Sequence, residues 1–400
     1  MSAATVSRGS RLFVLVAAGW FVCWQVAVAL GGGRRLGVVL GLYGFVFHTV
    51  FGKAYALVPT YFDRALAFPR APSVHLPLAV GGTAFLALDA AGVASVALPA
   101  AGRLSTLEVG AVGWALGVGV FAGALGWSVR DNLSGAETAT SEAKADRRRV
   151  DRFANGFVPL ALAYLLGSAV LLATGGAGPF GRTAPQLSHL LAVGTATLLL
   201  FALGFRLLPR FLVVRPRLPL VLVVLPAGAL GPLLLVVDFA GSSPWFLLGA
   251  ALQAIALVGF AVAYADMWVR SDRRRVGLTA VLVAAMTGGI VALLGVHMAT
   301  AGLAADVAAA HVRLGLLGFL GVAIVGVSYQ FYPPGVATVP LVGDRSAAMA
   351  VALLVCGVAA EAAGLLGTVD PLVEVGRLLA LAGAIIHAVN LVVVFVERRR

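Results

Sequence analysis

The chain has 400 residues, of which 60% are hydrophobic and 12% charged, with 29 Lys and Arg against 17 Asp and Glu and a formal net charge of +12. That apolar content excludes a soluble globular protein, which could not bury so much apolar surface, and predicts an integral membrane protein. The positive charge does not point to nucleic acid, because the arginines stand in short runs between apolar segments, as in the cytoplasmic loops of membrane proteins; membrane lipids are the expected surroundings.

In chain order, the apolar runs predict twelve spans of the length a helix needs to cross the hydrocarbon. They cover about 11–31, 36–59, 77–99, 106–128, 154–174, 186–209, 217–240, 245–268, 276–298, 310–333, 347–367 and 372–396. The whole chain, 1–400, reads as a single polytopic domain. The first apolar run reads as a spanning helix, with no cleavable signal peptide before it. Between the fourth and fifth spans, 131–153 is polar, charged and rich in Ala, Ser and Thr, and predicts either a mobile cytoplasmic loop or a short surface helix. Cys23 and Cys356 both lie in apolar segments, which argues against a disulfide framework or a thiolate metal cluster.

Three spans share a pattern. Leu36–Pro59, Gln186–Pro209 and Ala310–Pro334 each carry internal glycines and an aromatic residue (Tyr55, Phe205, Tyr329) four positions before a terminal proline. Pro59, Pro209 and Pro333 are 150 and 124 residues apart. A period that long predicts three repeated units of several helices each.

Orientation follows from the basic residues. With the N-terminus inside, the cytoplasmic side receives Arg8, Arg11, Arg64, Arg70, Arg147 to Arg149, Arg152, Arg210, Arg215, Arg217, Arg270, Arg273 to Arg275, Arg345 and Arg398 to Arg400. The outer side keeps Arg34, Arg35, Arg103 and Arg182. This asymmetry predicts a cell-membrane protein with both termini cytoplasmic.

Twelve spans in three groups of four, with the marked helix in the same place in each group, resemble subunit I of the haem–copper oxidases, the group of cytochrome oxidases and nitric oxide reductases. Two stretches carry the likeness. FGKAYALVPTYFDRALAFPR, Phe51 to Arg70, is similar to the segment after that family's second helix. The tenth span resembles the family helix that begins His-x-His and ends in an aromatic–proline step, with His311 as the first histidine and Tyr332-Pro333 as the step. The resemblance implies an all-α bundle of twelve transmembrane helices with pseudo-threefold arrangement.

It implies the site only in part. In the family the two tenth-helix histidines serve different haems, because residues two apart on a helix point about 200° apart. His311 matches the high-spin haem ligand. Arg313 matches the low-spin ligand and cannot hold iron, having no lone pair to give. The other low-spin ligand position is Leu36, next to Arg34 and Arg35. The seventh span has no histidine, so the copper ligands are missing and copper is not expected. The expectation is a divergent relative holding b-type haem through His311 with help from His189 or His297. It would act in redox chemistry, gas sensing or nitric oxide handling, and would need a redox partner protein. Arg34, Arg35 and Arg313 are candidates for haem propionates or lipid headgroups, since arginine binds carboxylates bidentately. Whether such a chain is an enzyme is left open.

Each residue also has a plainer reading. His75 reads as a solvated loop histidine and His297 as an interfacial one. His48 and His387, both at mid-span, read as a displaced haem pair or as structural hydrogen bonds, to Asn390 or Gln25. Asp89, Asp238, Asp266 and Glu361 read as a proton path; Asp238 and Asp266 lie close to span ends, where a hydrated charge is cheap, and Asp89 and Glu361 lie deeper. Tyr55, Tyr329 and Tyr332 read as an interfacial belt. Gly315, Gly318, Gly321 and Gly326 read either as close helix packing or as room for a porphyrin. The alternative function is a non-haem twelve-helix transporter or a scaffold or assembly protein, although transporters more often repeat in halves.

Overall fold

The computed structural model describes residues 2–98, 102–175, 184–239 and 243–397. Arg182 and Arg398 to Arg400 lie outside them. Among the described residues, twelve helices are long and apolar enough to cross a membrane: α1 (Thr5–Ala29), α2 (Arg34–Tyr61), α3 (Ala71–Ala90), α4 (Thr106–Ser128), α5 (Glu142–Ala173), α6 (Ala184–Leu212), α7 (Leu218–Val237), α8 (Pro244–Arg270), α9 (Val276–Ala301), α10 (Ala305–Val336), α11 (Asp344–Gly367) and α12 (Asp370–Glu397). The chain is a multi-pass membrane protein. Helices are the outcome hydrocarbon demands, because each satisfies its own backbone donors and acceptors.

The helices form two units, one of Met1–Ala17 and Gly32–Leu203, the other of Ala18–Gly31 and Gly204–Arg400. In the first, α2 packs on α3, α3 on α4, α4 on α5 and α5 on α6. In the second, α7 packs on α8, α8 on α9, α9 on α10, α10 on α11 and α11 on α12.

The third span differs from expectation. It starts at Ala71 rather than near 77 and ends at Ala90, where Gly92 adopts φ 94°. Pro72 sits in its first turn, where no amide hydrogen is needed. The residues that follow form a hairpin, β1 (Ser95–Leu98) and β2 (Gly102–Ser105), with Ser95 opposite Ser105. Ser105 then caps α4 by accepting from the Glu108 amide at 3.3 Å.

The polar stretch 131–153 is folded back on its own unit. Arg64 donates to both Asp131 oxygens, at 3.0 and 3.1 Å, and to Glu137 at 2.7 Å. The Asn132 amide bridges the carbonyls of Phe62 and Glu137, both at 2.9 Å. The stretch ends in a short helix, Arg148–Asn155, in which Val150, Asp151, Ala154 and Asn155 are buried.

Three helices stand apart from the rest. In α2, α6 and α10, 72% of the most apolar window is buried, against 33% to 56% in the other nine. Each also widens into an eight-residue π-helical segment: Val39–Val46, Leu190–Thr197 and Leu314–Gly321. Such segments are rare, and they redirect carbonyls that an α-helix would pair four residues on. Side chains take up several of these carbonyls. His48 bonds Tyr43 O at 3.0 Å, Thr49 bonds Phe45 O at 3.0 Å, Thr195 bonds Leu190 O at 3.3 Å and Thr197 bonds Ala192 O at 2.8 Å.

Candidate functional site

The second unit buries a charge network where the sequence led us to look for a haem ligand. Arg313 is the last residue of α10 before its π segment and is 8% exposed. Its Nε donates to Glu361 Oε2 at 2.7 Å, and its NH2 group lies 2.6 Å from the same oxygen. Glu361, on α11 and 1% exposed, uses its other oxygen to accept from Arg377 Nε of α12 at 3.1 Å. Arg313 NH2 also donates to Gln25 Oε1 at 3.2 Å. The guanidinium lies 5.2 Å from the Trp24 ring centroid, within cation–π range.

Close backbone approach puts Glu361 there. A Cβ on Gly376 would run into the Glu361 amide and come within 2.6 Å of the Gly357 carbonyl; one on Gly357 would lie 2.6 Å from the Ala380 amide. These small residues let α11 and α12 touch along their backbones, as membrane helix pairs often do.

The histidines are dispersed. His311 donates from Nδ1 to the Val291 carbonyl of α9 at 3.1 Å and is half-buried. A carbonyl only accepts, so the hydrogen is on Nδ1 and a neutral ring keeps its lone pair on Nε2. His297, also in the second unit, is exposed. His189, in the first unit, turns back onto its own helix and bonds Pro185 O at 2.8 Å. Arg34 is exposed, while Arg35 pairs with Asp89. Among the described residues, no three His, Cys, Asp or Glu side chains gather as a metal-binding group.

His387 and His48 are both buried. His387 packs edge-on to Tyr329 at 5.2 Å and near Phe21 at 6.1 Å. Within the second unit, His387 makes no hydrogen bond to Asn390 or Gln25 among the described residues. Asn390 instead bonds the Tyr329 hydroxyl at 3.3 Å and Ser346 at 2.9 Å, and Gln25 belongs to Arg313.

Three further expectations are corrected. His75 is fully buried in α3, because the helix begins a turn earlier than its apolar run; its Nδ1 lies 3.2 Å from the Tyr55 hydroxyl, among Phe13, Phe51 and Phe121. Tyr55, Tyr329 and Tyr332 are buried rather than interfacial, since the helices bearing them are the most enclosed. Asp89 lies one residue from the end of α3 and is not deep. Asp266 is held between Arg217 at 2.8 Å and Arg270 at 2.5 Å, and Asp238 accepts from the Ser243 amide at 3.1 Å.

The residues fit a haem unevenly. A histidine whose Nδ1–H is fixed by a carbonyl is the usual arrangement for an iron ligand, and His311 has it. Of the glycines beyond it, two are closely packed: a Cβ on Gly318 would lie 2.7 Å from Thr287, and one on Gly326 2.6 Å from the Gly277 carbonyl, whereas one on Gly315 would meet only Val291, at 3.7 Å. At Arg313 the donor set is cationic and cannot hold iron.

No protein-family model matches the chain, and no characterised protein matches it. The functional reading therefore rests on this geometry. The sequence pointed to Arg313 and Glu361 separately but not to Arg377 or Gln25 as their partners; an intramembrane Arg on α10 facing an intramembrane Glu on α11 was the signal available.

Proposed function

We propose that the chain is a haem–copper-oxidase-like membrane protein, with both termini cytoplasmic, whose low-spin haem position has been rebuilt as a fixed charge network. It binds or conducts a small polar solute and does not reduce oxygen. The observation that carries this reading is Arg313, held by Glu361 and backed by Arg377, at the position where the family resemblance puts a low-spin ligand. The threefold plan is supported by the recurrence in α2, α6 and α10 of deep burial and a π segment ending about a dozen residues before the terminal proline.

A second reading has one observation in its favour, the Nδ1 bond from His311 to Val291 O. In it, His311 holds a single b-type haem, which would supply redox or gas-binding chemistry with electrons from a partner protein. His311 itself would orient the ring through the Val291 carbonyl.

Optical spectra of protein purified from haem-replete cells, air-oxidised and then dithionite-reduced, separate the two. A featureless visible spectrum from folded protein is the result expected of the first reading. A Soret band that His311→Ala weakens or shifts establishes the second and overturns the first.

A further inference from the structure

The charge network is incomplete as it stands. It holds two guanidinium groups and one carboxylate, a net charge of +1, and no other carboxylate bonds to either arginine among the described residues. An uncompensated charge away from water is among the costliest things a fold can carry. The Arg377 side chain is 30% exposed, near the start of α12, whereas the Arg313 side chain is 10% exposed. The excess positive charge is therefore most poorly solvated at Arg313.

The hydrogen-bond account points the same way. Arg313 NH1 is buried with no partner among the described residues, although Nε and NH2 are both used. Gln25 is fully buried, and its Nε2 is likewise unmatched. The Gln25 amide cannot turn over to cure this, because Arg313 NH2 only donates and must face Oε1. The two unmet groups belong to side chains already bonded to each other, and both are donors. What is missing is an acceptor, and the surplus charge makes a negative one the best fit.

We propose that Arg313 and Gln25 form a binding site for one small monovalent anion, a halide or a compact oxyanion of the nitrate or formate kind, with Trp24 as one wall. The network supplies the positive potential and Glu361 fixes the guanidinium so that NH1 faces the ligand. Arg377 gives the site a partly exposed side toward the start of α12. A divalent anion is disfavoured, since it would turn the net +1 into a buried negative charge. The inference rests on the charge-network reading and names the class of solute for it.

The test uses the full chain in detergent, exchanged into gluconate buffer at constant ionic strength and titrated with sodium bromide, nitrate, formate or sulfate. Melting temperature and tryptophan fluorescence are followed together. The expected result is a saturable, one-site rise in melting temperature with the monovalent anions and none with sulfate, with a saturable component of the bromide quench that Trp24→Phe removes, over the collisional quench of exposed Trp127 and Trp245. Gln25→Leu removes one donor without altering charge, and is expected to weaken half-saturation about tenfold. Arg313→Gln is expected to abolish the response. The proposal is overturned if wild type shows no saturable response, or if Gln25→Leu responds as wild type does. A Soret band in the same preparation would instead overturn the reading beneath it, so the two failures are told apart.

Discussion

Arg313 and Glu361 meet across α10 and α11 through a 2.7 Å hydrogen bond, and Glu361 is the sole carboxylate bonded to either arginine of the network among the described residues. Glu361→Gln would leave two guanidinium groups facing each other with no counter-charge. We expect it to cost about 3 kcal/mol, the usual scale for breaking a buried pair from one side. Joint replacement of Arg313, Glu361 and Arg377 by Leu should recover most of that loss. Unfolding in mixed micelles against wild type measures both, and a loss below about 1 kcal/mol for Glu361→Gln would contradict the network's importance.

Gly376→Val should destabilise the same region without changing any charge. Its side chain would have to displace the Glu361 backbone, with overpacking typically worth about 1–3 kcal/mol. Gly119→Val on α4 is the control, because nothing lies within 4 Å of its would-be Cβ. Equal melting temperatures for the two variants would refute the close approach.

The folded-back stretch 131–153 should respond to acid. The hydrogen bond from Arg64 is the main cause holding the Asp131 carboxyl below its ordinary range. A lowered folded-state value means that this contribution is present above the unfolded value, about 3.9, and is lost as pH falls through the folded one. Proteolysis after Arg147 to Arg149 should therefore stay slow at pH 5 and quicken below about pH 4. Arg64→Gln should give fast cleavage at both pH values. A wild-type rate independent of pH would count against the clamp.

Orientation can be read from a single amine. Lys53 and Lys144 are the only lysines; Lys144 is exposed before the short helix of α5, while Lys53 is half-buried within α2. A membrane-impermeant amine reagent should modify Lys144 in inside-out vesicles and spare it in right-side-out ones, with Lys144→Arg as the blank. The reverse pattern would place the termini outside.

The number of helices and most of their boundaries were legible because spanning segments advertise themselves by length and apolarity alone; Thr106–Ser128 falls on the predicted 106–128. The third span starts earlier than its apolar run, which begins near 77 and leaves His75 to read as loop, because Pro72 suits a first turn and His75 pairs with Tyr55. The tyrosines read as an interfacial belt because sequence position gives depth along a helix but not which side faces the bundle. The network was half visible for the same reason. Arg313 and Glu361 stand out as intramembrane charges, but Arg377 joins them through the Gly357–Gly376 contact of α11 with α12, which no helical periodicity encodes.

Arg313 stands directly before the π segment Leu314–Gly321. A π turn is, in effect, one surplus residue accommodated without breaking the helix. Were 314–321 to wind as an ordinary α-helix without losing a residue, everything on one side of it would swing by about 100° relative to the other. Arg313 would then face away from Glu361 while Tyr329 and Pro333 kept their places. The rotational phase between the two ends of α10, and with it the whereabouts of the buried positive charge, is thus set by how a single stretch of backbone is wound.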